Sequence, residues 1–294
     1  MTIDVMMPFW GERKLLEVAV QSVLAQSNPS WRLVVIDDAY PDPTVPAYFD
    51  AIVDPRVTYR RNDVNVGLIE NFRRAVASAE ADLVVIMGCD DVLEPGYVDA
   101  VIRAASDHPE ADIIQPGVRV IDETGREWLP LADRIKQRMR EPWVRRRQPV
   151  GGQELTTSLL HGNWLYWPSL AFRTSAIQAV DFRDEYRIIL DLALILELLR
   201  AGSRVAVTGD PVFRYRRHAA SVSSSEFVSG ARFSDERRFF AETSEVLKSH
   251  GWPRAARAAR MHLTSRLYAA SLLPAGIRSR NLAYVARLLR HIVA

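Results

Sequence analysis

Residues 65–98 read NVGLIENFRRAVASAEADLVVIMGCDDVLEPGYV, and their order of elements decides the fold. Leu68 to Ala79 has the spacing of a helix, and Leu83 to Met87 is a short apolar run of strand length. That run stops at Gly88-Cys89-Asp90-Asp91, after which Pro95 predicts the first turn of another helix. The same alternation continues upstream. Ile3 to Pro8 is an apolar run closed by proline, and Glu12 to Gln26 carries Leu15, Leu16, Val18, Ala19, Val23 and Leu24 at helical spacing. Arg32 to Ile36 is β-branched and runs into Asp37, Asp38 and a turn rich in proline at Pro41, Pro43 and Pro46, while Arg56 to Tyr59 predicts a third short strand. Strands alternating with helices of this length predict a layered α/β sheet of parallel strands buried on both faces, with function at the strand C-terminal ends.

Downstream of Ile121 the rhythm changes. Asp122-Glu123-Thr124-Gly125 is a turn, and Asp133 to Arg147 is dense in Lys and Arg with little periodicity, which reads as a mobile loop or else as a solvated surface helix. A helix is expected from Gln153 to Leu160, followed by an aromatic patch at Trp164, Tyr166 and Trp167. IILDLALILELLRAG, residues 188–202, is apolar nearly all round and predicts a buried helix ended by Gly202. Short strands are expected at Arg204 to Val207 and Val212 to Tyr215, and helices only from Phe233 onward.

Composition sets the class. The 294 residues are 48% hydrophobic and 25% charged, as in globular proteins. The 38 Lys and Arg against 36 Asp and Glu leave a net charge of +2, which gives no reason to expect nucleic acid as a partner. Cys89 is the single cysteine, so an intrachain disulfide framework and a cysteine-cluster zinc site are excluded. MTIDVMMPFWGER lacks the basic region and apolar run of a signal peptide, and no stretch has the length of a spanning helix; the expected compartment is the cytoplasm.

Acids stand where apolar elements end. Asp90 and Asp91 repel one another unless solvent or a cation relieves them, and a hard divalent ion with oxygen ligands does so; the alternative is an N-cap for the helix near Pro95. Asp38 either makes an Asx-type turn into Pro41 or serves a ligand. Asp191 interrupts the buried helix, either as a capped or paired acid near Arg187 or as a general base in a partly dry cleft.

Taken in order, MMPFWGERKLLEVAVQSVLAQS, VVIDDAYPD, residues 65–98, HGNWLYWPSLAFR, LDLALILELLRAG and FRYRRHAASVS resemble the inverting nucleotide-sugar glycosyltransferases of family 2 over roughly residues 2–222. The resemblance implies a GT-A fold: a Rossmann-like α/β/α sandwich at 1–222, with a nucleotide-binding half at 1–122 and an acceptor-binding half at 123–222. Residues 223–294 would form a helical C-terminal extension. By position, Pro8, Phe9, Trp10 and Glu12 match the loop bordering the nucleoside, and Asp38 the acid on the base. Asn65, Gly67 and Asn71 match a segment near the nucleotide. Asp91 matches the metal ligand and Asp90 the ribose or sugar contact, Asp191 the catalytic base, and Arg217 and His218 residues near the diphosphate, with His218 also near the metal. Trp164, Tyr166 and Trp167 fall on the acceptor side. One departure is Gly88, where many relatives carry a further acid.

The implied reaction moves a sugar from a nucleotide-diphosphate donor, UDP ahead of dTDP and GDP, to a hydroxyl of a glycan or lipid-linked acceptor in envelope or capsule synthesis. It proceeds with inversion and uses Mn²⁺ or Mg²⁺. Two other classes stay open: a GT-A-like scaffold that binds without catalysis, which Gly88 favours, and a nucleotidyltransferase, which the lack of a Gly-rich, Lys-bearing first loop disfavours. From Pro253 to Ala294 there is no Asp or Glu, and eight arginines recur among Leu, Ala, Ile and Val. Leu282, Val285, Leu288, Leu289 and Ile292 share one helical face, suited to packing on the catalytic domain, on a second subunit, or on the inner face of a membrane.

Overall fold

The computed structural model describes residues 1–186, 188–217, 231–278 and 281–293. His218 and Arg187 lie outside the described residues. The chain divides into two compact units: residues 1–150, 165–182 and 203–217 in the first, and 151–164, 183–202 and 218–294 in the second.

In chain order the first unit opens with β1 (Ile3–Phe9), α1 (Arg13–Leu24), β2 (Trp31–Asp37), α2 (Thr44–Asp50), β3 (Val57–Arg61), α3 (Leu68–Ala77) and β4 (Leu83–Ile86). It continues with β5 (Val92–Leu93), α4 (Tyr97–Asp107), β6 (Ile113–Ile121) and α5 (Leu131–Arg146). After β7 (Val150–Gly151) and α6 (Gly152–His161), a 3₁₀ turn (Trp167–Ser169), β8 (Ala171–Arg173) and α7 (Thr174–Gln178) follow; α8 (Leu190–Arg200) then precedes β9 (Arg204–Arg216). The strands lie in the order β3-β2-β1-β4-β8-β6-β9-β5. β3, β2, β1 and β4 are parallel, as expected, and Phe9 stands opposite Asp37. The rest of the sheet departs from the all-parallel reading: β8 is antiparallel to both β4 and β6, and β5 is antiparallel to β9. Three- and two-residue strands carry too little pattern to declare a direction.

Alternation within the strands makes two buried faces. Ile3, Val5, Met7 and Phe9 join Leu33, Val35, Leu83 and Val85 in one core with Leu16, Ala19, Val20 and Val23 of α1 and Tyr97, Val98 and Val101 of α4. Met6, Val34, Ile36, Val84 and Ile86 are buried on the other face, where α3 packs on β1, β2 and β4. The core tolerates one acid in β1. Asp4 is fully buried, binds Arg32 Nε and Nη2 at 2.7 and 2.8 Å, and accepts the amides of Glu80 and Ala81. Burial pushes its carboxyl up, and these donors more than offset that, leaving it below its ordinary value.

Three other expectations change. The two strands at 204–207 and 212–215 are one strand, β9, which runs parallel to β6 through a register shift at Gly117. Gly117 allows the close approach, since a Cβ there would collide with the Asp210 carbonyl. The helix near Pro95 begins at Tyr97 with Gly96 as its N-cap, so neither Asp90 nor Asp91 caps it. Residues 133–147, expected as a loop or a solvated helix, form α5, and it is anchored by polar groups where periodicity looks for apolar ones. Asp133 is fully buried, Trp143 nearly so, and Arg140 donates to the Thr208 carbonyl.

The second unit is helical: α6, α8, α9 (Ala231–Ser249), α10 (Pro253–Met261), α11 (Leu263–Arg278) and α12 (Leu282–Val293). α8 is the buried helix predicted at 188–202; it ends as Gly202, at φ +102°, donates to the Leu199 carbonyl.

Candidate active site

Parallel pairing puts the C-terminal ends of β1, β2, β3 and β4 on one edge of the first unit, so Trp10, Asp37 and Asp38, Asn62 and the Gly88–Asp91 turn gather there. Gly11 ties the first loop to the last: a Cβ on it would touch Cys89 Sγ at 3.5 Å. Burial, ahead of the Asp90 charge, pushes the Cys89 thiol up to about 12.

The Gly88–Asp91 turn folds its two carboxylates back over Gly88. A Cβ at residue 88 would lie 2.6 Å from Asp91 Oδ2 and 2.9 Å from Asp90 Oδ1. Gly88 is therefore more than a missing acid, because a side chain there would displace both carboxylates. Asp91 is 1% exposed, and its Oδ1 accepts the Arg216 amide at 2.8 Å. Burial first, and the Asp90 charge second, push its carboxyl well above its ordinary value. Arg216 is the clasp of this turn. Its guanidinium donates to the carbonyls of Asp90, Asp122 and Glu123 at 2.7, 3.0 and 3.1 Å.

Asp37 and Asp38 divide their work. Asp37 is fully buried; it accepts the Tyr40 amide, the Tyr59 hydroxyl at 2.5 Å and Arg61 Nη1 at 2.6 Å. The turn expected at Asp38 thus belongs to Asp37. Asp38 reaches across to residues 62–67, accepting Asn62 Nδ2 and the amides of Val66 and Gly67 at 2.8, 2.8 and 2.9 Å. Three of about four acceptor positions of a carboxylate are then used, and the remaining one is on Oδ2. Gly67, at φ +87°, is the N-cap of α3, a backbone conformation that L side chains rarely adopt. Asn71 is buried and binds the Ile36 carbonyl and Asn62, while Asn65 is exposed. Around them, Pro8 is half-buried, Glu12 is exposed and Phe9 is fully buried. Trp10 is 52% exposed and stands edge-on to Tyr40 at 5.2 Å.

Arg217 is held by a residue that sequence reasoning missed. Asp133 Oδ2 lies 2.8 Å from Arg217 Nε, and Oδ1 accepts both Arg217 Nη2 and the Tyr166 hydroxyl at 3.0 Å. Tyr166 is thereby buried, with Lys136 Nζ 4.9 Å from its ring centre, so its side chain presents no surface to an acceptor. Trp167 is half-buried among Phe72, Phe172 and Phe182. In the second unit Trp164 is fully buried and donates to Ser158 Oγ.

Asp191 stands in the first turn of α8, where a negative charge is favoured by the helix dipole. Asn163 Nδ2 donates to its Oδ2 at 3.0 Å, fixing the carboxylate within this unit. The only advance signal for Asn163 was its place beside the aromatic patch.

Asp90 and Asp91 bring hard oxygen donors together over Gly88, and their mutual repulsion is what a divalent cation relieves, so these residues fit Mg²⁺ or Mn²⁺. Among the described residues no third His, Cys, Asp or Glu completes a cluster, and His218, the other expected ligand, lies outside them.

Residues 4–171 match the family model Glycosyl transferase family 2. The chain belongs to glycosyl transferase family 2. Among its curated relatives, the "Putative colanic acid biosynthesis glycosyl transferase WcaA" of Escherichia coli (strain K12) is 31% identical over 94 residues. That match spans 32% of this chain and about a third (34%) of WcaA. Among solved structures, S. aureus TarS 1–349 in complex with UDP-GlcNAc superposes with TM-score 0.64 at 17% identity, over 83% of this chain and 66% of that one. The mannosyltransferase PcManGT from Pyrobaculum calidifontis, in complex with GDP-Man and Mn²⁺, gives 0.60 at 14% identity, over 99% and 86%. At these identities the likeness establishes the shared fold, a mixed α/β sheet of GT-A type with a helical C-terminal region.

Proposed function

We propose that this family 2 chain transfers a sugar, with inversion, from a nucleotide-diphosphate donor to a hydroxyl of a glycan or lipid-linked acceptor in polysaccharide synthesis. The observation that carries this reading is the Asp90–Asp91 pair, folded over Gly88 at the strand-end edge and clasped by Arg216. Asp91, through Oδ2, and Asp90 would hold a divalent cation against the donor diphosphate. When bound, that cation supplies charge neutralisation for the leaving diphosphate. Trp10 offers an exposed ring to the nucleobase, and Asp38 has one acceptor position left for a base N–H, with the residue 62–67 loop held on its other three. Arg217, aimed by Asp133, places a fixed positive charge for the diphosphate. Asp191 takes the acceptor proton as general base, with Asn163 orienting its carboxylate. UDP is favoured as the nucleotide because TarS binds UDP-GlcNAc, and Mn²⁺ as the cation because PcManGT binds it. The domain boundary at residue 222 and the cytoplasmic side as the site of action belong to the same reading.

The test is a panel of UDP-, dTDP- and GDP-sugars with pooled glycan and lipid-linked acceptors, read by mass spectrometry. A glycosylated acceptor supports the reading. Donor binding without product points to the non-catalytic scaffold, and a new nucleotide-sugar to a nucleotidyltransferase.

A further inference from the structure

The last two helices carry apolar residues on the side turned away from their own packing. Inside, Ala269 of α11 and Leu288 of α12 meet Phe233 of α9, and Gly276 lets α12 approach so closely that a Cβ would sit 3.2 Å from Tyr284 and Val285. Outside, Leu263, Leu267, Pro274 and Ile277 are exposed along α11, and Leu282, Ala286, Leu289 and Val293 along α12. Spacings of 4, 7 and 3 residues along α11 and of 4, 3 and 4 along α12 put each set in a stripe on one side of its helix. The sequence grouping of Leu282 with Val285, Leu288 and Ile292 is thereby split: Leu288 is buried, Val285 and Ile292 are half-buried, and Leu282, Leu289 and Val293 face solvent at 81%, 48% and 78% exposure.

Charge selects what covers these stripes. Residues 253–294 contain eight arginines and no Asp or Glu. Arg278 and Arg290 are exposed on the borders of the stripes, and Arg254, Arg257 and Arg260 are exposed along α10. A two-fold contact with a second copy would set this like-charged surface against itself. An anionic lipid surface complements it, and apolar stripes bordered by arginine are the form an interfacial helix takes. Among the described residues no helix is long and apolar enough to cross a membrane, so the helices would lie along the surface.

We propose that the exposed stripes of α11 and α12, with their bordering arginines, seat the second unit on an anionic lipid surface. Leucines enter the boundary between headgroups and acyl chains, and the guanidinium groups stay among the phosphates. This does not depend on the sugar-transfer reading, since it rests on other residues and a binding measurement.

The test is cosedimentation of the full chain with vesicles containing phosphatidylglycerol and with vesicles of phosphatidylcholine alone. Binding to the anionic vesicles is expected at low salt, at least about tenfold weaker on the neutral ones and reduced by high salt. Leu267→Glu/Leu282→Glu/Leu289→Glu should weaken it about tenfold or more with the circular dichroism spectrum unchanged. Arg278→Gln/Arg290→Gln, which adds no charge to the stripes, should weaken only the anionic component. No sedimentation of the full chain at low salt would overturn the proposal. So would variants that bind as well as the parent, or a dimer that the glutamates abolish, which would make a second copy the occupant.

Discussion

The buried carboxylate of Asp133 forms an ion pair with the half-buried Arg217 across 84 residues of sequence, with Asp133 Oδ2 2.8 Å from Arg217 Nε. The pair joins the start of α5 to the end of β9, and Tyr166 donates its hydroxyl to the same carboxylate.

Removing that carboxylate should therefore loosen α5 as well as the guanidinium. Asp133→Ala is expected to cost about 1.5–3 kcal/mol, the range for a hydrogen bond to a charged group, since Arg217 stays partly solvated. Hydrogen exchange in residues 131–146 should speed up. Unchanged protection of that segment would mean that Trp143 and Arg140 suffice to hold the helix.

Gly88→Ala should harm function more than stability. The added methyl would come within 2.6 Å of Asp91 Oδ2. Overpacking costs about 1–3 kcal/mol in folding, whereas displaced carboxylates should lower cation-dependent nucleotide binding by about tenfold or more. Thermal denaturation and nucleotide titration of one variant separate the two effects, and normal binding would show that the turn has room.

Asp191→Asn keeps the shape of the side chain but cannot take a proton. Transfer should fall by about 10²- to 10⁴-fold while nucleotide affinity stays nearly constant. A large loss of melting temperature with normal turnover per folded molecule would instead make Asp191 a structural acid at the start of α8.

Acid should weaken the C-terminal helices through His291. Burial pushes this imidazole down to about 4, beside Ser265 Oγ at 2.7 Å and Glu236 at 3.9 Å. Because the folded value lies below the unfolded value of about 6.5, the unfolded chain binds more protons between the two. Stability from this group is then complete above pH about 6.5 and is lost as pH falls toward about 4, by no more than about 3 kcal/mol. Urea denaturation across that range should show the slope in the parent and a shallower one in His291→Gln.

The fold was legible wherever strands were long and apolar. β1, β2 and β4, with α1 and α3, follow from periodicity, and α8 from its uniform burial, whereas α2 forms at Thr44–Asp50 where the prolines read as a turn. α5 was not legible, because its anchors are Asp133, Arg140 and one tryptophan, and an ion pair 84 residues apart leaves no local pattern. The direction of β8 was hidden by its three residues. At the site, acids at strand ends were visible as types, but not their partners. That Asp37 keeps the turn while Asp38 orders residues 62–67 depends on which carboxylate faces which loop. The burial of Trp164 and Tyr166 likewise follows from tertiary packing, since an aromatic cluster in sequence looks the same inside and outside.

The central claim is that Asp90 and Asp91 bind donor diphosphate through a divalent cation, and calorimetric titration of UDP tests it most directly. UDP should bind about tenfold or more tightly with Mn²⁺ than with EDTA, and Asp91→Asn should remove that difference while leaving the weaker, metal-free binding in place. Equal affinity in Mn²⁺ and EDTA, or a metal effect that survives Asp91→Asn, would contradict it.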